Sequence, residues 1–249
     1  MEQVMLKENE RIDDLGCKGL RIIQNTEGFC FGMDAVLLSN FCDIKKNSEL
    51  VDLGTGTGII PLLVWAKNQT KKIYAIEIQE EVAEMAKRTM GINSLKDSIE
   101  IINTNLIEAP EILGVNKFDA VTSNPPYMLQ GGGLINPEDK KAISRHEITC
   151  TLEDVIKTGS RLLRHNGSFF MVHRPHRIVD IFCLLRQYKL EPKKIRFVHP
   201  KVGDKPNLVL IKSIKASKPE LKFEPPLYVY NDDLKYTDEI YKIYGMEVR

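Results

Sequence analysis

"VDLGTGTG", residues 51–58, joins the apolar run "ELVDL" (49–53) to the longer stretch "GIIPLLVWAKNQ" (58–69). The run has the length of a buried strand. The stretch reads as a helix, with Pro61 in the first turn, where its missing amide hydrogen is harmless. Gly54, Gly56 and Gly58 let the chain turn tightly and let a ligand approach the backbone closely. "KIYAIEI" (72–78) is the next strand. Glu77 at its end lies about 20 residues beyond the loop, where a carboxylate can accept hydrogen bonds from ribose hydroxyls. With Asp52 just before the glycines, the pattern predicts an adenosine-type cofactor across the carboxyl ends of a parallel sheet. The nicotinamide fingerprint G-x-G-x-x-G is missed by one residue, because position 59 is isoleucine.

The same alternation continues outward. "EEVAEMAKRTMGIN" (80–93) places Val82, Met85, Ala86 and Met90 on one helical face. "SIEIIN" (98–103) and "FDAVTS" (118–123) are strands three and four. Thr151 is a fitting N-cap for the helix in "TLEDVIKTGSRLL", which leads to the strand "GSFFMVH" (167–173). A helix over 176–188 and strands at "KIRFVHP" and "NLVLIKS" complete the series. The prediction is an α/β fold: a doubly wound, mostly parallel seven-stranded sheet with helices on both faces. Residues 46–215 form the cofactor-binding domain, 1–45 an N-terminal segment packed on it, and 216–249 a C-terminal tail. The tail segment "PPLYVY" is open to packing on the sheet or touching substrate. The polar, glycine-rich stretch "MLQGGGLINPEDKKAISRH" (128–146) is a long loop of the functional kind.

Composition excludes several classes. The 249 residues are 43% hydrophobic and 28% charged, ordinary for a globular protein. The five cysteines are scattered and odd in number, which argues against a disulfide framework or a zinc ribbon, and the histidines lack metal spacing. The N-terminus is charged, without the apolar core of a secretory signal, and no run reaches the roughly 20 apolar residues of a membrane span. A cytoplasmic protein without membrane contact is expected. Its net charge of +1 hides an asymmetry: residues 161–222 carry 15 Lys/Arg against 4 Asp/Glu. Such a region reads either as a nucleic-acid surface or as a solvated basic face.

The chemistry is concentrated in "SNPPY" (123–127), directly after the fourth strand. Two prolines end strand pairing and stiffen the corner, which lowers the entropy lost in holding reactive groups. The side-chain carbonyl of Asn124 and the backbone carbonyl of Pro125 can accept both hydrogens of a planar NH₂ group. Tyr127 offers an aromatic face for a planar base, worth about 1–3 kcal/mol. The fourth strand of a doubly wound sheet ends beside the cofactor crevice, so this corner occupies the catalytic position.

"VDLGTGTG", Glu77 and "NPPY" together resemble the S-adenosylmethionine-dependent amino-methyltransferases of the Rossmann-like class, over most of residues 28–215. The resemblance implies S-adenosyl-L-methionine as cofactor and Asn124, Pro125 and Tyr127 as the residues around the target nitrogen. "GFCFGMDAVLL" (28–38) is similar to the F-x-F-G-x-D segment of bacterial adenine-N6 methyltransferases acting on the anticodon loop of a valine tRNA. Phe31, Gly32 and Asp34 match it, and "SRHE" (144–147) fits the same subfamily. By that resemblance Phe31, Asp34, Asp52, Gly54, Gly56, Gly58, Glu77, Ile78, Asn105, Leu106 and Asn124 surround the cofactor. Asn105 departs from the aspartate usual there. Arg145, Arg174 and Arg177 are the residues expected to meet substrate RNA, a tRNA first of all; no metal is expected. For Phe31 the alternative is core packing, for Asp34 helix capping, and for Arg145 a surface ion pair.

Other readings stay open at this level. A protein-glutamine N5-methyltransferase also presents a planar amide to NPPY, although only about 50 residues precede the glycine loop. RNA guanine-N2 methylation, a nicotinamide dehydrogenase and an RNA-binding module with an inactive cofactor fold are the others. Oligomeric state is not encoded in any motif.

Overall fold

The computed structural model describes residues 5–28, 30–127 and 150–246. The chain opens with a hairpin, β1 (Glu10–Asp14) and β2 (Arg21–Asn25), and a helix α1 (Met33–Phe41). Then β3 (Glu49–Leu53), α2 (Ile59–Asn68), β4 (Lys72–Glu77), α3 (Glu80–Ile92) and β5 (Ile99–Asn103) alternate as predicted. A 3₁₀ turn (Leu106–Glu108) and the short α4 (Ala109–Leu113) lead to β6 (Phe118–Ser123). Next come α5 (Leu152–Leu162), β7 (Leu163–His173), a 3₁₀ turn (Pro175–Arg177), α6 (Ile178–Gln187), β8 (Leu190–His199) and β9 (Leu208–Lys215). Two-residue strands β10 (Lys222–Phe223) and β11 (Leu227–Tyr228) and the helix α7 (Asp238–Ile243) end the described chain.

The main sheet runs β10-β8-β9-β7-β6-β3-β4-β5, with β11 also paired to β8. The pairings from β5 through β7 are parallel, and β9 lies antiparallel between β7 and β8. It is an α/β sheet with helices against both faces, as expected, but with nine strands, because β10 and β11 extend the seven. The central strands alternate between two cores: Phe170 and Val172 of β7 enter one, Phe169 and Met171 the other. Burial on both faces is what the near-continuous apolar runs encode. Each fully buried Phe or Leu contributes about 1.5–3 kcal/mol. Strand order reverses at β3, so the crevice outside β3 and β6 is the switch point of the sheet.

Two differences have local causes, and the tail packs as one of its two open readings allowed. The hairpin β1–β2 is a separate two-stranded sheet not foreseen in the sequence. Its polar first strand is held from outside: the Arg88 guanidinium grips Glu10 at 2.6 and 2.7 Å and Glu84 at 2.7 Å, and Ile23 N donates to Thr89 Oγ1. The buried face of α3 is Ala83, Met85, Ala86, Thr89 and Met90, with Val82 only half-buried, because the hairpin covers the flank that Thr89 occupies. The C-terminal residues pack on the sheet: Leu227, Val229 and Ile240 join the core, and Tyr230, Tyr236 and Tyr244 stack beside it. Among the described residues no helix is long and apolar enough to cross a membrane.

Candidate active site

The register pairs Leu53 with both Ile76 and Ser123, so β3, β4 and β6 end at one edge. The glycine loop, Glu77 and the NPPY corner therefore stand together. Gly54 has φ 73° and open space where a side chain would lie, while Gly58 caps α2 at φ 86°. Both values are in the left-handed region that favours glycine. Glu77 is buried and pre-oriented: Gly56 N donates to its Oε2 and Gln79 N to its Oε1, each at 2.9 Å. A carboxylate has lone pairs left after two such bonds.

Asp52, fully buried, accepts from Thr122 Oγ1 at 2.6 Å through Oδ1. Its Oδ2, with Thr55 Oγ1 and Thr57 Oγ1, is buried without a hydrogen-bond partner among the described residues. Burial pushes the Asp52 carboxyl up to about 6. Unpaired buried polar groups each cost about 1–3 kcal/mol, so natural folds keep them where a ligand supplies the partner. Three of them on one glycine loop fit a cofactor bearing amine, carboxylate and hydroxyl groups.

Across the crevice, Tyr127 Oη lies 2.7 Å from Asp34 Oδ2 and 2.6 Å from Asn124 Oδ1. The Arg174 guanidinium sits 4.9 Å over the Tyr127 ring, and His173 meets the ring edge-on at 5.2 Å. His173 Nδ1 accepts from Arg174 N at 2.8 Å, which places its ring proton on Nε2. Burial pushes the imidazole down to about 4, so it is neutral near pH 7.

A family profile described as "Methyltransferase small domain" matches residues 32–187, well over half the chain. The chain belongs to the methyltransferase small domain family. The methyltransferase is 29% identical to the tRNA1(Val) (adenine(37)-N6)-methyltransferase of Bacteroides thetaiotaomicron, over 82% of this chain and 86% of that protein. It is 24% identical to the protein of the same name from Tolumonas auensis, over 89% and 91%. Among solved structures it is similar in fold to a predicted O-methyltransferase from Agrobacterium tumefaciens, with TM-score 0.69, 22% identity and coverage of 87% and 98%. The tRNA m1G37 methyltransferase of M. jannaschii gives TM-score 0.60 at 17% identity, covering 86% of this chain and 59% of that one.

Most of the expected site residues stand at one edge of the sheet. Asp34 is bound to Tyr127 and, through Oδ1, to Ala35 N at 2.9 Å. Phe31 packs partly buried against the core. Asn105 caps the 3₁₀ turn, accepting from Ile107 N at 3.0 Å. Ile78 is 39% exposed, whereas Leu106 is at 9% and belongs to the core beneath. Arg174 stacks on Tyr127 and donates to Asn207 O, and Arg177 is paired with Asp180 at 2.6 Å. Arg145, Phe29 and the stretch 128–146 lie outside the described residues, apart from which every expected position is placed. Lys201 and Lys205 belong to the basic region 161–222 but are not singled out by any motif. They are exposed on the β8–β9 connection, which meets Arg174 at Asn207, and make no ion pair among the described residues.

Proposed function

We propose that this methyltransferase transfers a methyl group from S-adenosyl-L-methionine to the exocyclic N6 amine of an adenosine in the anticodon loop of a tRNA, in the cytoplasm. One observation carries the reading: the NPPY corner stands at the same sheet edge as the glycine loop, because Leu53 and Ser123 are register partners. The names of the relatives over most of both chains support tRNA and adenine as the substrate. When bound, S-adenosylmethionine supplies a methyl group already activated by its sulfonium. Asp52, Gly54, Gly56 and Gly58 would hold its amino-acid end with Asn124, and Glu77 its ribose. Ile78 and Asn105 would flank its adenine, with Leu106 as the floor.

This chain's part is alignment. Asn124 and Pro125 carbonyls accept the two amine hydrogens and free a lone pair that is otherwise delocalised into the ring. Their dipoles also face the positive charge that develops on nitrogen. Such positioning supplies up to about 7–11 kcal/mol where geometry is good. An unpaired loop base suits the site, because extrusion from a duplex costs a few kcal/mol. Arg174, Arg177, Lys201 and Lys205 would meet the phosphates, and Arg145 is kept as a substrate contact.

The test is incubation with labelled cofactor and tRNA lacking native modification, followed by nucleoside analysis. N6-methyladenosine, lost with Asn124→Ala, is the expected result. Label in N2-methylguanosine would overturn the base assignment, and label in added release factor rather than RNA would move the reaction to protein.

A further inference from the structure

Resting on that reading, we propose that Asp34 is a positioning residue: through Tyr127 it locks the side-chain amide of Asn124 in the orientation that offers its carbonyl oxygen to the substrate amine. Tyr127 Oη has one hydrogen but stands at hydrogen-bond distance from two side-chain atoms, 2.7 Å from Asp34 Oδ2 and 2.6 Å from the near end of the Asn124 amide. The hydrogen goes to the carboxylate, since a charge-assisted bond is roughly twice as strong as a neutral one.

The near end of the Asn124 amide must then donate. Two oxygens 2.6 Å apart with no hydrogen between them would repel. Amide oxygen and nitrogen exchange places by a half-turn of the side chain, and the hydrogen-bond network decides which is where. Asp34 therefore turns Nδ2 toward Tyr127 and Oδ1 to the far end, which has no hydrogen-bond partner among the described residues. Without Asp34 the phenol donates to Oδ1, and the far end becomes an NH₂ group facing another NH₂ group.

The supporting geometry is rigid. Asp34 is fixed at the start of α1 by Ala35 N, and the Tyr127 ring is clamped between Arg174 and His173. Burial of the hydroxyl end and then the Asp34 charge push the phenol well above its ordinary range, so it keeps its proton throughout assay conditions.

The test is a double-substitution cycle. Methyl transfer to unmodified tRNA is measured together with S-adenosylmethionine affinity by calorimetry. Asp34→Asn and Tyr127→Phe should each lower kcat about 10- to 100-fold with cofactor Kd changed less than about 3-fold, the differential expected of an interaction made only in the transition state. Tyr127→Phe keeps the test usable should Asp34→Asn fold poorly. Asn124→Asp replaces the amide by a carboxylate with an acceptor at both ends, so orientation no longer matters. In that background Asp34→Asn should be neutral or raise kcat, because it removes a second carboxylate from the same hydroxyl. Equal loss in both backgrounds would overturn the orientation role. So would a tenfold weaker cofactor Kd at unchanged kcat, which would make Asp34 a cofactor ligand. A wild type that forms no N6-methyladenosine would fail earlier, and the functional reading would fall first and this inference with it.

Discussion

Asp52→Asn tests whether the residue is kept for the cofactor at the expense of the fold. The Asp52 carboxyl rises from 3.8 to about 6 on folding, because burial disfavours its charge. At 1.36 kcal/mol per pH unit this amounts to about 3 kcal/mol. The native state binds the proton more tightly, so stability is full below pH 3.8 and lost as pH rises to about 6. His173 works in the opposite sense: it falls from 6.5 to about 4, and its contribution is lost as pH drops through that range. The two nearly cancel, and the slope left in the wild type comes from carboxylates held below their ordinary range, Glu10, Asp43 and Glu84. In Asp52→Asn the opposing Asp52 arm is gone, and stability should climb with pH more steeply than in the wild type. Relative to wild type, the variant should gain about 3 kcal/mol between pH 4 and 7. Its absolute level is set back by about 1–3 kcal/mol for a stranded amide donor. Urea unfolding of both proteins at four pH values, with equal m-values, measures the difference. A difference constant with pH would refute the claim that Asp52 is held charged in a site that disfavours charge.

Three further outcomes follow from named contacts. A Cβ on Gly159 would stand 2.5 Å from Phe169 Cε2, so Gly159→Ala should cost about 1–3 kcal/mol by overpacking, read as a lower urea midpoint. Glu10→Ala leaves the Arg88 guanidinium half-paired and should cost about 1–3 kcal/mol, with hydrogen exchange rising first in the hairpin amides. Replacing Lys201 and Lys205 together by alanine should weaken tRNA binding and lower the slope of log affinity against log salt by about 1.5–2; an unchanged slope would remove them from the RNA surface.

The elements legible in the sequence were those whose signal is local. β3 and β6 begin and end where their apolar runs do, because both faces are buried and turn residues bound them. Thr151 caps α5 through a reciprocal bond with Asp154, as its residue type suggested. Tertiary partners decided the rest. β1 is polar and exists because Arg88 and Thr89, far along the chain, hold the hairpin. The charge count of the basic stretch could not show which of its cations are free. Lys194 and Lys212 share Asp43, Arg164 meets Asp119, and Arg196 meets Glu239, so many of its cations are already matched. Of the site, Gly54, Glu77 and Asn124 were readable as spacing within one motif or between neighbouring strands. The bond from Asp34 to Tyr127 spans 93 positions and left no periodicity to find.

Of the five buried side-chain atoms left without a partner among the described residues, three are on the glycine loop, while Thr70 Oγ1 and Ser213 Oγ stand apart from it. Asp52 Oδ2, Thr55 Oγ1 and Thr57 Oγ1 lie within six residues of one another, and together they cost several kcal/mol. Folds carry such local conflict where function needs it, and the ligand that resolves it should return the stability. Saturation at 100 times Kd adds about 2.7 kcal/mol by mass action alone. If Asp52 supplies an acceptor for the cofactor, bound S-adenosylmethionine should also remove its share of the pH dependence, since a paired carboxylate no longer rises toward 6. The wild type with cofactor should then climb more steeply with pH between 4 and 6 than without it, while Asp52→Asn with cofactor shows the same slope as without it. A wild-type profile that moves upward in parallel on saturation, keeping its slope, would place the cofactor elsewhere on the sheet edge.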